Sequence, residues 1–164
     1  MATKVNPIPS GYHTATPYLT LNDCAGAIDF YKKAFGAQVV MRMDGPPGKI
    51  GHAEIKIGDS LIMLADEMPG GGNRAPKSLG GTTVGVFLYV PDVDSSYKQA
   101  VDAGAKADMP PADMFWGARF GKLTDPFGHS WLMATHKEDV APEEMRKRMQ
   151  QEMAKRGQQT KTAS

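Results

Sequence analysis

The spacing of apolar and polar positions changes several times along the chain, and each change marks an element. From Thr14 to Leu21 the pattern is strand-like, with Tyr18, Leu19 and Leu21 suggesting one buried side. After Asn22 the period becomes helical. Ala27, Ile28, Tyr31, Ala34 and Phe35 fall on one stripe, with Lys32 and Lys33 turned outward. Asp23 is suited to accept from the free N–H groups of the first turn, and Gly36 to take the left-handed position after the last. Ala37 to Met43 is rich in strand formers, and Gly45-Pro46-Pro47-Gly48 is a loop. His52 to Ile57 alternates strictly, which gives a strand two different faces. Gly58-Asp59 then turns into Leu61 to Leu64. The first half reads as strand, helix and three strands.

Between Asp66 and Thr83 the period disappears among glycines and prolines, and then the pattern restarts. Val84 to Val90 is a β-branched apolar strand. Pro91-Asp92 opens a helix with Val93, Tyr97, Ala100 and Val101 on its stripe and Gly104 at its end. Ala105 to Met109 is a short strand stopped by Pro110 and Pro111, hence at a sheet edge. Arg119 to Leu123 and His129 to Thr135 form a hairpin around the turn Asp125-Pro126-Phe127-Gly128. Asp23–Ala37 and Asp92–Ala105 share an Asp start, a central Tyr and a Gly-Ala end, an internal repeat that implies two modules with a shared site between them.

The expected fold class is therefore α+β: two tandem βαβββ modules plus a C-terminal helix. Residues 1–11 read as a disordered lead-in and 12–136 as a single domain. Within it, 12–66 is module one, 67–83 a Gly/Pro-rich linker and 84–136 module two. Residues 137–164 read as a helix and a frayed tail. That helix starts at Pro142-Glu143-Glu144, carries Met145, Met149 and Met153 on one stripe, and is expected to end at Gly157. The stripe must pack on its own domain or on a second subunit.

Composition narrows the partners. The 164 residues are 41% hydrophobic and 23% charged with a net charge of +1, as in an ordinary globular chain. Without a concentrated basic tract, nucleic acid is not expected as a partner. No apolar run reaches bilayer length, so no membrane association is expected. Met1 to Pro9 lacks the apolar stretch of a signal peptide, and the single cysteine excludes an intrachain disulfide. The expected compartment is the cytoplasm.

The Leu21-Asn22-Asp23 start, the Ile28-Asp29-Phe30-Tyr31-Lys32-Lys33-Ala34-Phe35-Gly36-Ala37 helix and the Trp116-Gly117-Ala118-Arg119-Phe120-Gly121…Asp125-Pro126-Phe127-Gly128-His129 end resemble the vicinal oxygen chelate superfamily. This superfamily includes glyoxalase I, bleomycin-resistance proteins, fosfomycin-resistance enzymes and extradiol dioxygenases. The branch most resembled is that of the PhnB-like proteins. The resemblance spans roughly Gly11 to His136 and implies sheets that enclose a cavity, and usually a homodimer. It also implies a divalent metal held by His and Glu at four strand positions, acting as a Lewis acid. Those positions fall here on Thr16, Met63, Gly85 and Leu132, none of which is a ligand of that kind. No metal is expected at the usual site, and no other cofactor. The strand-to-helix turns Asn22-Asp23 and Pro91-Asp92 lack the glycines of a nucleotide site, which argues against the methyltransferase label some PhnB-like sequences carry.

Six residues stand out as ligand contacts. His52 and Glu54 share one face of an alternating strand and suit general acid–base work or metal ligation; the plainer alternative is a solvated face beside Lys56. Arg119 suits a carboxylate or phosphate, or else a surface ion pair. Trp116, Phe115 and Tyr18 suit stacking on a planar ligand, or core packing. His129 reads as structural, bonding the turn, His13 and His136 as solvated, and Cys24 as packed. The leading expectation is a small-molecule binding protein that holds or sequesters an apolar or aromatic ligand. The alternatives are a metal-dependent lyase, isomerase or dioxygenase of the glyoxalase type with relocated ligands, and a scaffold that uses the Met stripe.

Overall fold

A computed structural model describes residues 5–162, with side chains for residues 5–155. Module one runs β1 (Tyr18–Leu21), α1 (Cys24–Phe35), β2 (Gln38–Asp44), β3 (Ile50–Ile57) and β4 (Ser60–Asp66). Module two repeats it as β5 (Gly85–Tyr89), α3 (Val93–Asp102), β6 (Lys106–Asp113), β7 (Ala118–Thr124) and β8 (Ser130–His136). The first sheet has the order β1-β4-β3-β2 and the second β5-β8-β7-β6. In each, the first strand lies parallel to the last and the other pairings are antiparallel. The two βαβββ modules expected from the internal repeat are present.

The repeat extends to how the helices begin. The Asp23 side chain accepts from Gly26 N, and the Asp92 side chain accepts from Asp94 N and Ser95 N. The first N–H of α1 donates to Asp66 Oδ1 at 3.0 Å, and that of α3 to Thr135 Oγ1 at 2.8 Å. Each helix is thus anchored by a side chain from the last strand of its own sheet, which satisfies N–H groups that have no partner within the helix.

Helices α1 and α3 pack against each other behind the two sheets, and one hydrophobic core serves both modules. Its centre is the fully buried pair Tyr31 and Trp131, with ring centroids 5.2 Å apart and Phe35 4.5 Å from Trp131. Burying an aromatic of this size contributes roughly 1.5–3 kcal/mol, and Tyr and Trp must also find partners for their polar atoms. Both find Asp125. Its Oδ2 accepts from Tyr31 Oη at 2.7 Å and from Trp131 Nε1 at 2.9 Å. Its Oδ1 accepts from the main-chain N–H groups of Phe127 and His129, each at 2.9 Å. The buried His129 ring reaches into module one, with Nε2 3.0 Å from the Thr20 carbonyl oxygen.

Three elements differ from the sequence expectation. Residues expected as unstructured linker contain a short helix α2 (Pro76–Leu79), which Pro76 can start because it needs no N–H partner and Gly80 can end at φ 79°. Strand β6 does not stop at Pro110 and Pro111 but runs to Asp113. It lies at the sheet edge, and the register shifts at Ala107/Met109 and Met109/Ala112 absorb the missing donors. Helix α4 (Pro142–Thr162) passes through Gly157, since one glycine costs only about 1 kcal/mol against Ala and Gln158, Gln159 and Lys161 beyond it favour the helix. Of the expected disordered lead-in, residues 1–4 lie outside the described residues. From the rest of it, Pro7, Ile8 and Pro9 line a cleft with Glu54 and Met63, and Tyr12, just after it, bonds to Glu54 of the first sheet.

Candidate functional site

Strand alternation gives each sheet a back, facing the helices, and a front. In module one Leu19, Leu21, Ala53, Ile55, Ile62 and Leu64 form the buried back. The front carries Tyr18, His52, Glu54 and Met63, and register places Met63 beside both Tyr18 and Glu54, with Met41 beside Glu54 and Met43 beside His52. His52 Nε2 lies 3.1 Å from Glu54 Oε1, and the Tyr18 ring centroid lies 6.0 Å from that of His52. Tyr12, arriving from the lead-in, donates its hydroxyl to Glu54 Oε2. The buried Glu54 carboxyl is held below its ordinary pKa first by that bond, with His52 adding and burial opposing. Pro7, Ile8, Pro9, Tyr12, Glu54 and Met63 are among the residues lining a cleft of about 530 Å³ here.

In module two the back is Gly121, Leu123, Trp131 and Met133, with Tyr97 of α3 against Gly121. The front is aromatic. Phe87 stacks on Phe120 with centroids 5.9 Å apart, and Tyr89 lies 4.9 Å from Phe87. Trp116 stands edge-on to Phe120 at 5.8 Å, and Phe115 meets Trp116 at 5.0 Å. Despite these contacts Phe87 is 43% exposed and Tyr89 71% exposed. Beside this wall lies a cleft of about 570 Å³, lined on the same front by Lys122, Thr124, Ser130, Leu132 and Gly85. A third cleft, about 760 Å³, joins Tyr18 and Thr20 of the first front to Gly85 and Phe87 of the second.

The six sequence candidates therefore form two groups rather than one. Tyr18, His52 and Glu54 sit on the first front, and Phe115 and Trp116 border the second. Arg119 belongs to neither. It shares the back of β7 with Gly121 and Leu123, and its guanidinium grips Asp94 of α3 through Nε at 2.6 Å and Nη2 at 2.8 Å. Asp113 adds a contact at 3.3 Å. Its expected role as a cavity anchor is corrected to an ion pair between strand and helix, because alternation puts it on the face opposite Phe120. Sequence reading missed Phe87, Tyr89 and Phe120, although Phe87 and Tyr89 are two residues apart on a strand and so share a face. Tyr12 gave no periodic signal at all.

Residues 12–133 match the family model of the Glyoxalase/Bleomycin resistance protein/Dioxygenase superfamily. The chain belongs to this superfamily. Among relatives of this superfamily member, a Mycobacterium tuberculosis protein, Rv0887c, is 41% identical over 152 residues, which is 91% of this chain and 86% of that protein. Among solved structures, TioX from Micromonospora sp. ML1 superposes with TM-score 0.60 at 24% identity, covering 79% of this chain and 100% of that one. A Bacillus cereus PhnB protein, described as a putative 3-demethylubiquinone-9 3-methyltransferase, superposes with TM-score 0.57 at 17% identity, covering 75% and 99%. These structural likenesses carry the fold.

The superfamily's usual metal positions do not fit a divalent cation in this member. Met63 presents a thioether beside Glu54, and a Cβ added at Gly85 would overlap Leu132 Cδ1, so apolar atoms stand where ligands would have to converge. Among the described residues no three of His, Cys, Asp and Glu are gathered as a metal group. His52 and Glu54 remain a pair, joined by the Tyr12 hydroxyl.

The remaining candidates are placed as follows. Cys24 is buried at the start of α1, and burial pushes its thiol up to about 12, outweighing any pull from the helix dipole. His13 lines the cleft beside Glu54, and exposed His136 lies 2.9 Å from Asp139. Among the described residues no helix is long and apolar enough to cross a membrane.

Proposed function

We propose that this protein binds a planar aromatic small molecule on the front of its second sheet. The observation that carries the reading is the run of five aromatic side chains, Phe87, Tyr89, Phe115, Trp116 and Phe120, in ring contact yet with Phe87 and Tyr89 open to solvent. Rings arranged this way offer a stacking surface, and a large apolar patch left open is characteristic of a surface that receives a partner. The first front is open as well, with Met43 57% exposed. We therefore propose that a second copy of the chain covers these faces, so that the binding cavity is completed in a homodimer.

The test is titration with 2-naphthamide, followed by tryptophan fluorescence and calorimetry. Saturable binding that weakens at least tenfold in Phe120→Ala supports the reading. Light scattering on the same samples gives the mass, expected at two copies. Absence of saturation at the solubility limit for 2-naphthamide and its carboxylate analogue overturns it.

A second reading rests on Glu54, whose contacts with the Tyr12 hydroxyl and His52 have the form of an acid–base group. It is an enzyme reading, in which Glu54→Gln abolishes turnover of a bound ligand while leaving its affinity unchanged.

A further inference from the structure

The front of the second sheet is not uniformly aromatic, and its polar end is organised. Register places three rows across β7 and β8: Phe120 beside Ala134, Lys122 beside Leu132, and Thr124 beside Ser130. On the other side of β8, Gly85 lies beside Ser130 and Phe87 beside Leu132. One step along β7 on the same face, about 7 Å, leads from the Phe120 ring to the base of the Lys122 side chain.

Several cations among the described residues are already paired. Arg119 holds Asp94 and Asp113, Arg148 holds Glu138 and Glu144, and Lys98 holds Asp102. The Lys122 ammonium lines the cleft beside the aromatic wall and, among the described residues, has neither an ion pair nor a hydrogen bond. The Ser130 hydroxyl, on the same wall of that cleft, is likewise unengaged among the described residues, and Leu132 fills the space above Gly85 beside it. The nearby negative charge is already occupied. Asp108 accepts from Thr124 Oγ1 at 2.5 Å and lies 3.6 Å from Lys106 Nζ. Lys77, which also lines this cleft, stands over the Phe127 ring at 6.0 Å.

We infer that the aromatic ligand of this site carries an anionic substituent, a carboxylate or an equivalent oxyanion, which pairs with the Lys122 ammonium and accepts from the Ser130 hydroxyl while its ring lies on Phe120 and Phe87. This inference rests on the aromatic-ligand reading above and adds its charge. A lone ammonium beside an apolar wall favours an anion over a neutral isostere, and a charge-assisted hydrogen bond is roughly twice as strong as a neutral one.

The experiment is calorimetric titration of the full chain with 2-naphthoate and with its neutral isostere 2-naphthamide, in wild type, Lys122→Gln and Ser130→Ala. Lys122 is exposed and unpartnered, so its replacement leaves the fold intact. Expected is a preference of about tenfold for the carboxylate in wild type, as for other charge-assisted contacts. The preference vanishes in Lys122→Gln through weaker 2-naphthoate binding alone, with 2-naphthamide unchanged, and it shrinks with added salt. Ser130→Ala loses part of it. Equal affinity for both compounds in wild type overturns the anionic inference and leaves the aromatic reading standing. Failure of both to saturate overturns the two together. A Lys122→Gln variant that loses 2-naphthamide binding, or changes the mass of the protein, shows that Lys122 serves packing and likewise overturns the assignment.

Discussion

The Tyr31 hydroxyl donates to Asp125 across 2.7 Å, and that bond joins a helix of the first module to a turn of the second. Asp125 also accepts from Trp131 and from two main-chain N–H groups, so one buried side chain closes the hairpin and locks the modules together. Asp125→Ala would leave four donors unpaired in the core, and the expected loss is about 3 kcal/mol, with Tyr31→Phe losing about 2 kcal/mol. For a chain of this length the first loss lowers the melting temperature by roughly 6–12 °C. Thermal unfolding of both variants measures it; a change under 2 °C in Asp125→Ala would remove Asp125 from this role.

Acid stability should report on Glu54. Its carboxyl lies below its ordinary value of 4.5, held there first by the Tyr12 hydroxyl. A carboxyl with a depressed folded-state pKa contributes stability that is complete above the unfolded value and fades as pH falls through the folded one. Wild type should therefore lose stability as pH drops below 4.5. In Tyr12→Phe the folded value moves back toward 4.5 and the acid limb flattens. Melting temperature against pH for the two proteins decides it, and parallel curves would separate Tyr12 from Glu54.

Much of the architecture is legible in the sequence because it is written twice. Asp23 and Asp92 cap the two helices alike and Tyr31 and Tyr97 face the core in both; Gly36 ends α1 in the left-handed position, whereas α3 is closed by Ala103, one residue before Gly104. The faces of isolated strand residues are harder to read. Alternation sets Arg119 on the face opposite Phe120 but does not say which face is the front, and the Asp94 carboxylate on α3 shows that its guanidinium turns toward the helices. Tyr12 reaches Glu54 from a segment without periodicity, a contact 42 positions apart that spacing cannot announce.

Arg119→Gln follows from that correction. Because the guanidinium serves α3 and not the front, 2-naphthoate affinity should stay within about twofold of wild type while the melting temperature falls. A tenfold weaker complex, with the fold retained, would return Arg119 to the binding site.

Cys24 offers a reagent-based check on the core. Its thiol is pushed up to about 12, chiefly by burial with Asp66 adding, and little thiolate forms at pH 8. A disulfide-exchange dye should therefore react with it slowly in native buffer and promptly in denaturant. Full labelling within a minute in native buffer would mean that the start of α1 opens readily.

The division between back and front has a consequence for how such a chain can change over generations. The shared interior around Trp131, Tyr31 and Asp125 lies behind the sheets, whereas Met63 and Leu132 on the fronts are only half-buried and Gly85 is exposed. Substitutions at Met63 or Leu132 change the chemistry of a front without touching the hydrogen bonds that Asp125 makes in the interior. The surface that meets the surroundings and the interior that holds the chain together can therefore vary independently of each other.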